Sequence, residues 1–434
     1  MKSFRVKTER NNSIEIPASW GANAGGGHFL RRKDGKQKRK ARRNKPEFEF
    51  AFRTNPNTKK YRHKGCDSVR TPGHHTVVSL FCGCGGLDLG ITGGFRYLNK
   101  RYDALPFDIL HAVDNLGDAV ETYKLNIGDH VALGDLTEID VADLPKADVL
   151  MGGFPCQDFS SCGPKVGFSG KRGRLYQVLT EYMHHHRPMV VIGENVPYLK
   201  RLNGGEYLSA ILRDFEDAGY TFEVWDLHLP EYGLSQSRRR LFLVGVRNDL
   251  EGFPVQPTPT HADKPVYIDA CLEDLEGIED ESVTNQSQYF IATRATAGGG
   301  QGDHTNKAGT FAYCIRANAR GRIQFHYKLP RRLTVRECAR LQSFPDEFVF
   351  PFTTQRNLTL IGNAVPPIVG HAVGTAIAEF MAAAKKQGNK KKQQAPHRQR
   401  SGAANALALS EGAAGQARPE VSGAQDEEGE SLIK

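Results

Sequence analysis

Three stretches of this 434-residue chain place reactive side-chain types at the ends of apolar runs. Cys156 lies in Gly153-Phe154-Pro155-Cys156-Gln157-Asp158-Phe159-Ser160, after the run Ala147-Asp148-Val149-Leu150-Met151. That run reads as a buried strand ended by the glycines and the proline. The thiol therefore falls at a strand tip, where open α/β sheets place their chemistry. Taken alone, a half-buried structural thiol is the alternative. Glu194 follows directly on Pro188-Met189-Val190-Val191-Ile192-Gly193. Low dielectric there raises a carboxyl toward the working range of an acid; a structural carboxylate is the alternative. Gln236-Ser237-Arg238-Arg239-Arg240 leads into a strand at 241–246. Alternation sends Arg238 and Arg240 to one face and Arg239 to the other. Two convergent guanidiniums suit a charged substrate or a developing anion.

Positioning these groups requires a sheet, and the sequence supplies its strands. A β-branched strand at 76–81 runs into Cys82-Gly83-Cys84-Gly85-Gly86-Leu87-Asp88-Leu89-Gly90 and then a helical pattern. Strand, glycine turn and helix together bring backbone N–H groups close to a ligand. No Gly-Lys-Ser/Thr follows, so a nucleotide phosphate cradle is disfavoured. A second strand, 107–113, ends at Asp114, whose carboxylate suits ribose hydroxyls; an N-cap for a helix at 117–126 is the alternative. A third short strand leads to Gly134-Asp135-Leu136, an acidic tip suited to an adenine amino group. The three tips describe a pocket for an adenosine-type cofactor. Helices at 174–186 and 205–218 and a strand at 221–229 complete the pattern. His184, His185 and His186 cannot share one helix face, so no metal is assigned to them.

The net charge is +9, which points toward a polyanionic partner. Residues 1–75 hold 20 Lys and Arg against 6 Asp and Glu, and residues 385–434 hold 9 against 6. The remainder has 29 against 37, so a nucleic-acid surface there must be a local patch. The eight cysteines show no Cys-x-x-Cys, and a reduced, intracellular chain is the simplest account. The start lacks an apolar signal core and no long apolar stretch is read anywhere, so a protein neither secreted nor membrane-bound is expected.

Residues 1–75 read as a mostly disordered basic arm, either a solvating tail or a non-specific phosphate-binding arm. The loop after Cys156 is rich in Gly and Ser and carries Lys165, Lys171, Arg172 and Arg174, as a mobile phosphate-contacting loop would. From 248 to 330 the composition shifts to Gly, Thr, Asn and Gln. There Arg316, Arg320 and Arg322 interleave with Phe311, Tyr313, Phe325 and Tyr327. This reads as a small second domain facing nucleic acid. Helical character returns at 334–341, and an apolar helix at 368–384 precedes a low-complexity tail.

With these residues assembled, the chain resembles the cytosine-5 DNA methyltransferase family. The blocks that carry the likeness occur in the family's order. They are Phe81-x-Gly83-x-Gly85-Gly86, Gly134-Asp135, Gly153-Phe154-Pro155-Cys156-Gln157, Arg172-Gly173-x-Leu175, Glu194-Asn195-Val196, Gln236-x-Arg238-x-Arg240, Arg332-Leu333-Thr334-x-Arg336-Glu337 and Gly362-Asn363-x-Val365-Pro366. The resemblance implies an α/β fold, with a Rossmann-like S-adenosylmethionine-dependent methyltransferase domain and a smaller, irregular target-recognition domain. Its divisions would be the arm 1–75, a catalytic and cofactor-binding domain 76–247, target recognition 248–330, a return segment 331–384 and the tail 385–434. The last helix is expected to pack beside the first strand. Asp114 stands where many members have Glu, and Val335 where Pro is common.

The resemblance further implies that S-adenosyl-L-methionine, and no metal, is the cofactor. It would be held by Phe81, Gly83, Gly85, Gly86, Leu87, Asp114, Asn115, Asp135, Leu136, Pro155, Leu175, Asn363 and Val365. A cytosine rotated out of the duplex would be attacked at carbon 6 by the Cys156 thiolate. Glu194 would hold or protonate ring nitrogen 3, and Arg238 and Arg240 would orient the carbonyl. Lys165, Arg172, Arg174, Arg316, Arg320 and Arg322 would contact DNA. Expected partners are double-stranded DNA and, for a restriction-modification role, a separately acting cognate endonuclease; an orphan bacterial or phage enzyme is the other form. A monomer in the cytoplasm, associated with the nucleoid, is expected. The rival on the same scaffold is a tRNA cytosine-5 methyltransferase, whose Cys-Phe-Thr block after the glutamate strand is not found here. A catalytically dead binding module would lack Cys156, Glu194 or Arg238, and a thiol redox enzyme would want a resolving cysteine.

Overall fold

A computed structural model describes residues 3–7, 13–17, 70–155, 175–277, 304–317 and 323–394. Cys156, Lys165, Lys171, Arg172, Arg174, Arg320 and Arg322 lie outside the described residues, as do most of the basic arm and most of the tail. The chain divides into two units, Met1–Lys386 and Gln387–Lys434. Within the arm, β1 (Ser3–Lys7) pairs antiparallel with β2 (Ser13–Pro17), a strand pair that its reading as a mostly disordered basic arm did not include.

From β3 (His75–Leu80) the chain passes through α1 (Gly86–Thr92) and a small antiparallel pair, β4 (Phe95–Tyr97) with β5 (Lys100–Tyr102). It continues through β6 (Phe107–Asp114), α2 (Gly117–Asn126), β7 (Val131–Leu133), β8 (Val149–Gly152), α3 (Tyr176–His186) and β9 (Val190–Asn195). Then follow α4 (Glu206–Asp217), β10 (Tyr220–His228) and β11 (Arg239–Arg247). Seven strands form one sheet in the order β10-β11-β9-β8-β3-β6-β7. β9, β8, β3, β6 and β7 run parallel, and β11 is antiparallel to both of its neighbours. This is the doubly wound α/β sheet the sequence implied, with one reversed strand, β11, set next to its β10 edge.

Strand sequence follows strand position. β8 is buried along its whole length, whereas β10 at the edge alternates buried and exposed residues. Alternation also divides the core. Val77, Met151, Ile192, Phe242 and Val244 share one face with Ile91 of α1 and with Val369, Val373 and Ile377 of the last helix. Val78, Leu80, Leu150, Val191 and Leu243 share the other with Leu179 of α3 and Ile211 and Phe215 of α4. The last helix thus packs into the same cluster as the first sheet strand. Burial of each such aliphatic side chain contributes roughly 1.5–3 kcal/mol.

The region after β11 holds α5 (Ile268–Leu272) and the two-residue parallel pair β12 (His304–Thr305) with β13 (Gln324–Phe325). Then come α6 (Val335–Leu341), α7 (Thr354–Asn363) and α8 (Pro367–Gln394). The described parts of 248–330 share a core with the return segment. Ile268, Leu272, Ala312 and Ile315 cluster with Val335, Phe344 and Ile361. The block around Thr334 is a helix start. Thr334 Oγ1 accepts from Glu337 N at 3.1 Å, and Glu337 Oε2 accepts from Thr334 N at 2.8 Å. Fully buried Arg336 donates to the Pro345 and Phe348 carbonyls. An 18-residue window within Thr354–Gln387 has a mean hydropathy of 1.3, long and apolar enough to span a membrane, which corrects the expectation that no such stretch exists. Its apolar window is 78 % buried inside the fold, as a core helix's would be.

Candidate active site

Strand order reverses at β3, which has β6 on one side and β8 on the other. At such a switch point the loops leaving neighbouring strands diverge and a crevice opens at their C-terminal ends. Here the crevice is a cleft of about 700 Å³, within the range that takes a small organic ligand. Phe81, Gly83, Leu87, Asp114, Asn115, Asp135, Leu136, Pro155, Leu175, Asn363 and Val365 all line it, together with Glu194 and Arg240.

Its floor is the turn after β3. Phe81 carries φ 57°, a conformation a bulky side chain adopts only when its surroundings impose it. Asp114 holds the turn from the next strand tip: Oδ2 accepts from Gly83 N at 2.8 Å and Oδ1 from Leu116 N at 2.9 Å. The N-cap weighed for Asp114 is not its role: Leu116 is the N-cap of α2, and the second contact closes a turn two residues before it. Each oxygen keeps a further lone pair, so ribose hydroxyls can still donate to it. Burial pushes the Asp114 carboxyl above the usual carboxylate range, against the backbone N–H groups of Leu116 and Gly83. At the rim, Asp135 Oδ1 accepts from Thr137 N at 2.9 Å and Thr137 Oγ1 at 2.8 Å.

Two of the expected cofactor contacts stand elsewhere. Gly85 and Gly86 do not line the cleft; they are joints behind it. Gly85 has φ 87°, and a Cβ there would lie 2.1 Å from Ile127 Cδ1 of the segment after α2. A Cβ on Gly86 would lie 2.3 Å from the Val365 carbonyl. Glycine is required because the turn is pressed onto both neighbours.

On the opposite wall, Glu194 is the fifth residue of β9 rather than the residue after it, and pairs in register with Phe242 of β11. Arg240, two residues earlier, is its diagonal neighbour on the same face. Arg240 Nε donates to Glu194 Oε1 at 2.8 Å, and each side chain is only 13 % exposed. Burial raises the Glu194 carboxyl above its ordinary range, outweighing the guanidiniums of Arg240 and Arg238 that pull it down. The stretch that leads to Cys156 begins here. A Cβ on Gly153 would sit 3.2 Å from Glu194 Oε2, and Asn195 Nδ2 donates to the Phe154 carbonyl at 3.1 Å.

Arg239 points away, as alternation required, and meets Asp226 at 3.2 Å. Arg238 precedes β11, close enough to Arg240 and Glu194 to feel their charges, yet it does not line the cleft. Its Nη1 donates to the Ile315 carbonyl at 2.8 Å, and Nη2 to the carbonyls of Gly362 and Ala364, both at 3.0 Å. Those bonds occupy both terminal nitrogens of the guanidinium that was expected to orient a substrate carbonyl, while its buried Nε has no partner among the described residues. Burial lowers its pKa to about 10. Arg316 is exposed, on the 312–317 limb beside this contact. Of the three histidines, His186 turns inward and donates from Nε2 to the Val141 carbonyl at 2.7 Å.

Sequence reasoning did not single out Asp88, which is fully buried at the cleft's base. Its carboxylate accepts from Ser79 Oγ at 3.1 Å and Tyr123 OH at 2.9 Å, and burial raises its pKa to about 7. The signal available was a carboxylate set between Leu87 and Leu89 where the helix begins. Cys82 and Cys84 also line the cleft, and burial pushes both thiols well above their usual range.

The fold and this cleft define an α/β protein with a cleft of small-molecule size beside a Glu–Arg pair, and similarity to known proteins specifies the kind. Solved structures with this fold include a prophage-encoded E. coli protein described as a DNA modification methyltransferase. It has TM-score 0.54 at 21% identity, covering 71% of this chain and 99% of that one. The S. pombe Dnmt2 methyltransferase aligns with TM-score 0.53 at 19% identity over the same shares. In sequence, the Type II methyltransferase M.NgoFVII of Neisseria gonorrhoeae is 33% identical over 67% of this chain and 83% of its own length. M.NlaX of Neisseria lactamica is 31% identical over 71% of this chain and 96% of its own length. The family model for C-5 cytosine-specific DNA methylases matches residues 75–379, and the chain belongs to that family. It is a DNA methyltransferase enzyme.

Proposed function

We propose that this enzyme methylates carbon 5 of a cytosine within a short, specific duplex DNA sequence, as a restriction-modification or orphan methylase. The observation that carries the reading is the Glu194–Arg240 pair, buried in the cleft wall against the first residues of the Cys156 loop. A carboxyl raised by burial keeps its proton to higher pH than a free one, and that proton can be donated to ring nitrogen 3. Arg240, beside it, would hold the pyrimidine carbonyl and offset charge that develops in the ring.

In this reading the base leaves the stack, because its ring face is otherwise unreachable. The Cys156 thiolate forms a bond to carbon 6, and the displaced ring electrons make carbon 5 nucleophilic while Glu194 supplies the proton at nitrogen 3. S-adenosyl-L-methionine, when bound, supplies a sulfonium methyl as the electrophile. Methyl transfer would leave S-adenosyl-L-homocysteine; loss of the carbon-5 proton to solvent, with the nitrogen-3 proton returned to Glu194, then expels Cys156 as thiolate. The chain fits that cofactor: the cleft's size suits it, Asp114 retains acceptor capacity for ribose, and Asp135 stands at the rim for an amino group. Asn363 and Val365 would close the other side. Lys165, Arg172 and Arg174 would meet the DNA backbone as the cysteine loop closes, with Arg316, Arg320 and Arg322 on the recognition side.

The enzyme would act as a cytoplasmic monomer on nucleoid DNA, with a separate endonuclease as partner in the restriction-modification form. RNA as substrate has no support from the sequence relatives named above, which are Type II methyltransferases. The test is a plasmid expressing the protein in a methylation-free host, sequenced after bisulfite conversion beside a Cys156→Ser control. Protected cytosines at one recurring motif, lost in the control, are expected. Absence of protection in both would overturn the reading.

A further inference from the structure

Arg238 is joined by two buried glutamines in a polar junction behind the cofactor cleft, bonded to the carbonyls of Gly362 and Ala364 in its lining. Gln236 Oε1 accepts from Ile315 N at 2.9 Å, and its Nε2 donates to the Leu341 carbonyl at 2.7 Å and to Gln342 Oε1 at 2.6 Å. Gln342 Nε2 donates to the Ala364 carbonyl at 2.6 Å, which also accepts from Arg238. Ile315 is thus held at both its N–H and its carbonyl, by Gln236 and Arg238.

Three pieces of the chain meet there. One is the 312–317 limb, which carries exposed Arg316 and is stitched to β11's approach by Ser237 N to the Ala312 carbonyl at 2.8 Å. Another is the 362–365 loop, whose Asn363 and Val365 line the cleft. The third is the start of β11, two residues before Arg240. Limb and loop are in direct contact: a Cβ on Gly362 would lie 2.2 Å from the Arg316 carbonyl carbon, and Thr359 Oγ1 donates to the Ala317 carbonyl at 3.1 Å. The loop in turn presses on the glycine turn through Val365.

We propose that Arg238 is a positioning residue that couples DNA engagement by the 312–317 limb to the affinity of the cofactor cleft. This rests on the reading of the cleft and limb given above. A guanidinium bonded to carbonyls on both limb and loop cannot keep all its partners if one moves without the other. Shifting the limb onto DNA therefore shifts the loop that closes the cleft, and linkage requires the reverse effect to be equal. A lysine keeps the charge but has one nitrogen where the fork presented two, so it cannot bridge the three carbonyls in the same way.

The test measures binding of S-adenosyl-L-homocysteine, which has no methyl to transfer, by equilibrium dialysis against the full-length protein. Titrations are run with and without saturating unmethylated plasmid duplex, for wild type, Arg238→Lys and Thr359→Val. Duplex is expected to tighten wild-type binding on the order of 10-fold. Arg238→Lys should bind the ligand alone within a few-fold of wild type and lose the tightening, while Thr359→Val loses part of it. Undiminished tightening in folded Arg238→Lys would overturn the proposal, as would its absence in wild type that binds both partners. Should Arg238→Lys not fold, full tightening in both Thr359→Val and Gln342→Leu would overturn it. Failure of wild type to bind the ligand at all would instead sink the cleft reading itself.

Discussion

The carboxylate of Glu194 and the guanidinium of Arg240 meet at 2.8 Å on one face of the β9–β11 pair, and burial nonetheless leaves the carboxyl with a raised pKa. An acid is useful only while protonated, so the rate falls as pH rises through the Glu194 pKa. Arg240 lowers that pKa. Arg240→Met should therefore slow single-turnover methylation and move the alkaline limb of its pH profile to higher pH. Glu194→Gln, which cannot transfer a proton, should lose about 10²–10⁴-fold in rate and the limb with it. An unmoved limb in Arg240→Met would separate the two groups functionally.

Gly86 tests the joint behind the cleft. Its Cβ would collide with a backbone carbonyl at 2.3 Å, which cannot turn aside as a side chain could. Gly86→Ala should lower stability by about 1–3 kcal/mol and weaken S-adenosyl-L-homocysteine binding. Gly117→Ala meets nothing within 4 Å and should leave both unchanged. Thermal melts and dialysis read the two effects.

Asp88 gives stability a pH dependence. Its pKa is raised by burial to about 7, so between the unfolded carboxyl's pKa and that value the folded state binds the extra proton. Stability from this group then falls as pH rises, by at most about 1.4 kcal/mol per unit for one proton. Asp88→Asn should flatten that fall between roughly pH 4 and 7 in denaturant titrations. A wild-type curve rising through this window with no difference in the variant would contradict the assignment.

The arm's charge predicts a salt effect. Residues 1–75 hold 20 basic against 6 acidic side chains. Deleting residues 1–70 should weaken non-specific DNA binding and flatten its dependence on salt, with the methylated motif unchanged. A changed motif would refute this.

The sheet was legible because its strands are short, nearly continuous apolar runs and its helices are amphipathic; α2 occupies the expected 117–126. The site was legible where chemistry sits at strand tips, as with Asp114, Glu194 and Arg240. Contacts between distant segments were not. Alternation put Arg238 beside Arg240, but nothing in the local sequence shows that the carbonyls of Ile315, Gly362 and Ala364 surround it. Gly86 reads as a ligand-facing glycine until Val365 is seen against it. Composition marked 248–330 as distinct, yet a shared core such as Ile315 with Ile361 leaves no compositional trace.

The central claim is that Cys156 bonds to carbon 6 and is released only when carbon 5 loses its proton. Replacing that hydrogen by fluorine blocks the release. The decisive measurement uses an amplified duplex bearing the mapped motif with 5-fluorocytosine, incubated with enzyme and S-adenosyl-L-methionine, digested and sequenced by mass spectrometry. The account predicts a methylated fluorocytosine nucleotide attached to the peptide containing Cys156, and none with Cys156→Ser. An adduct on another residue, or full methylation of ordinary DNA by Cys156→Ser, would contradict it.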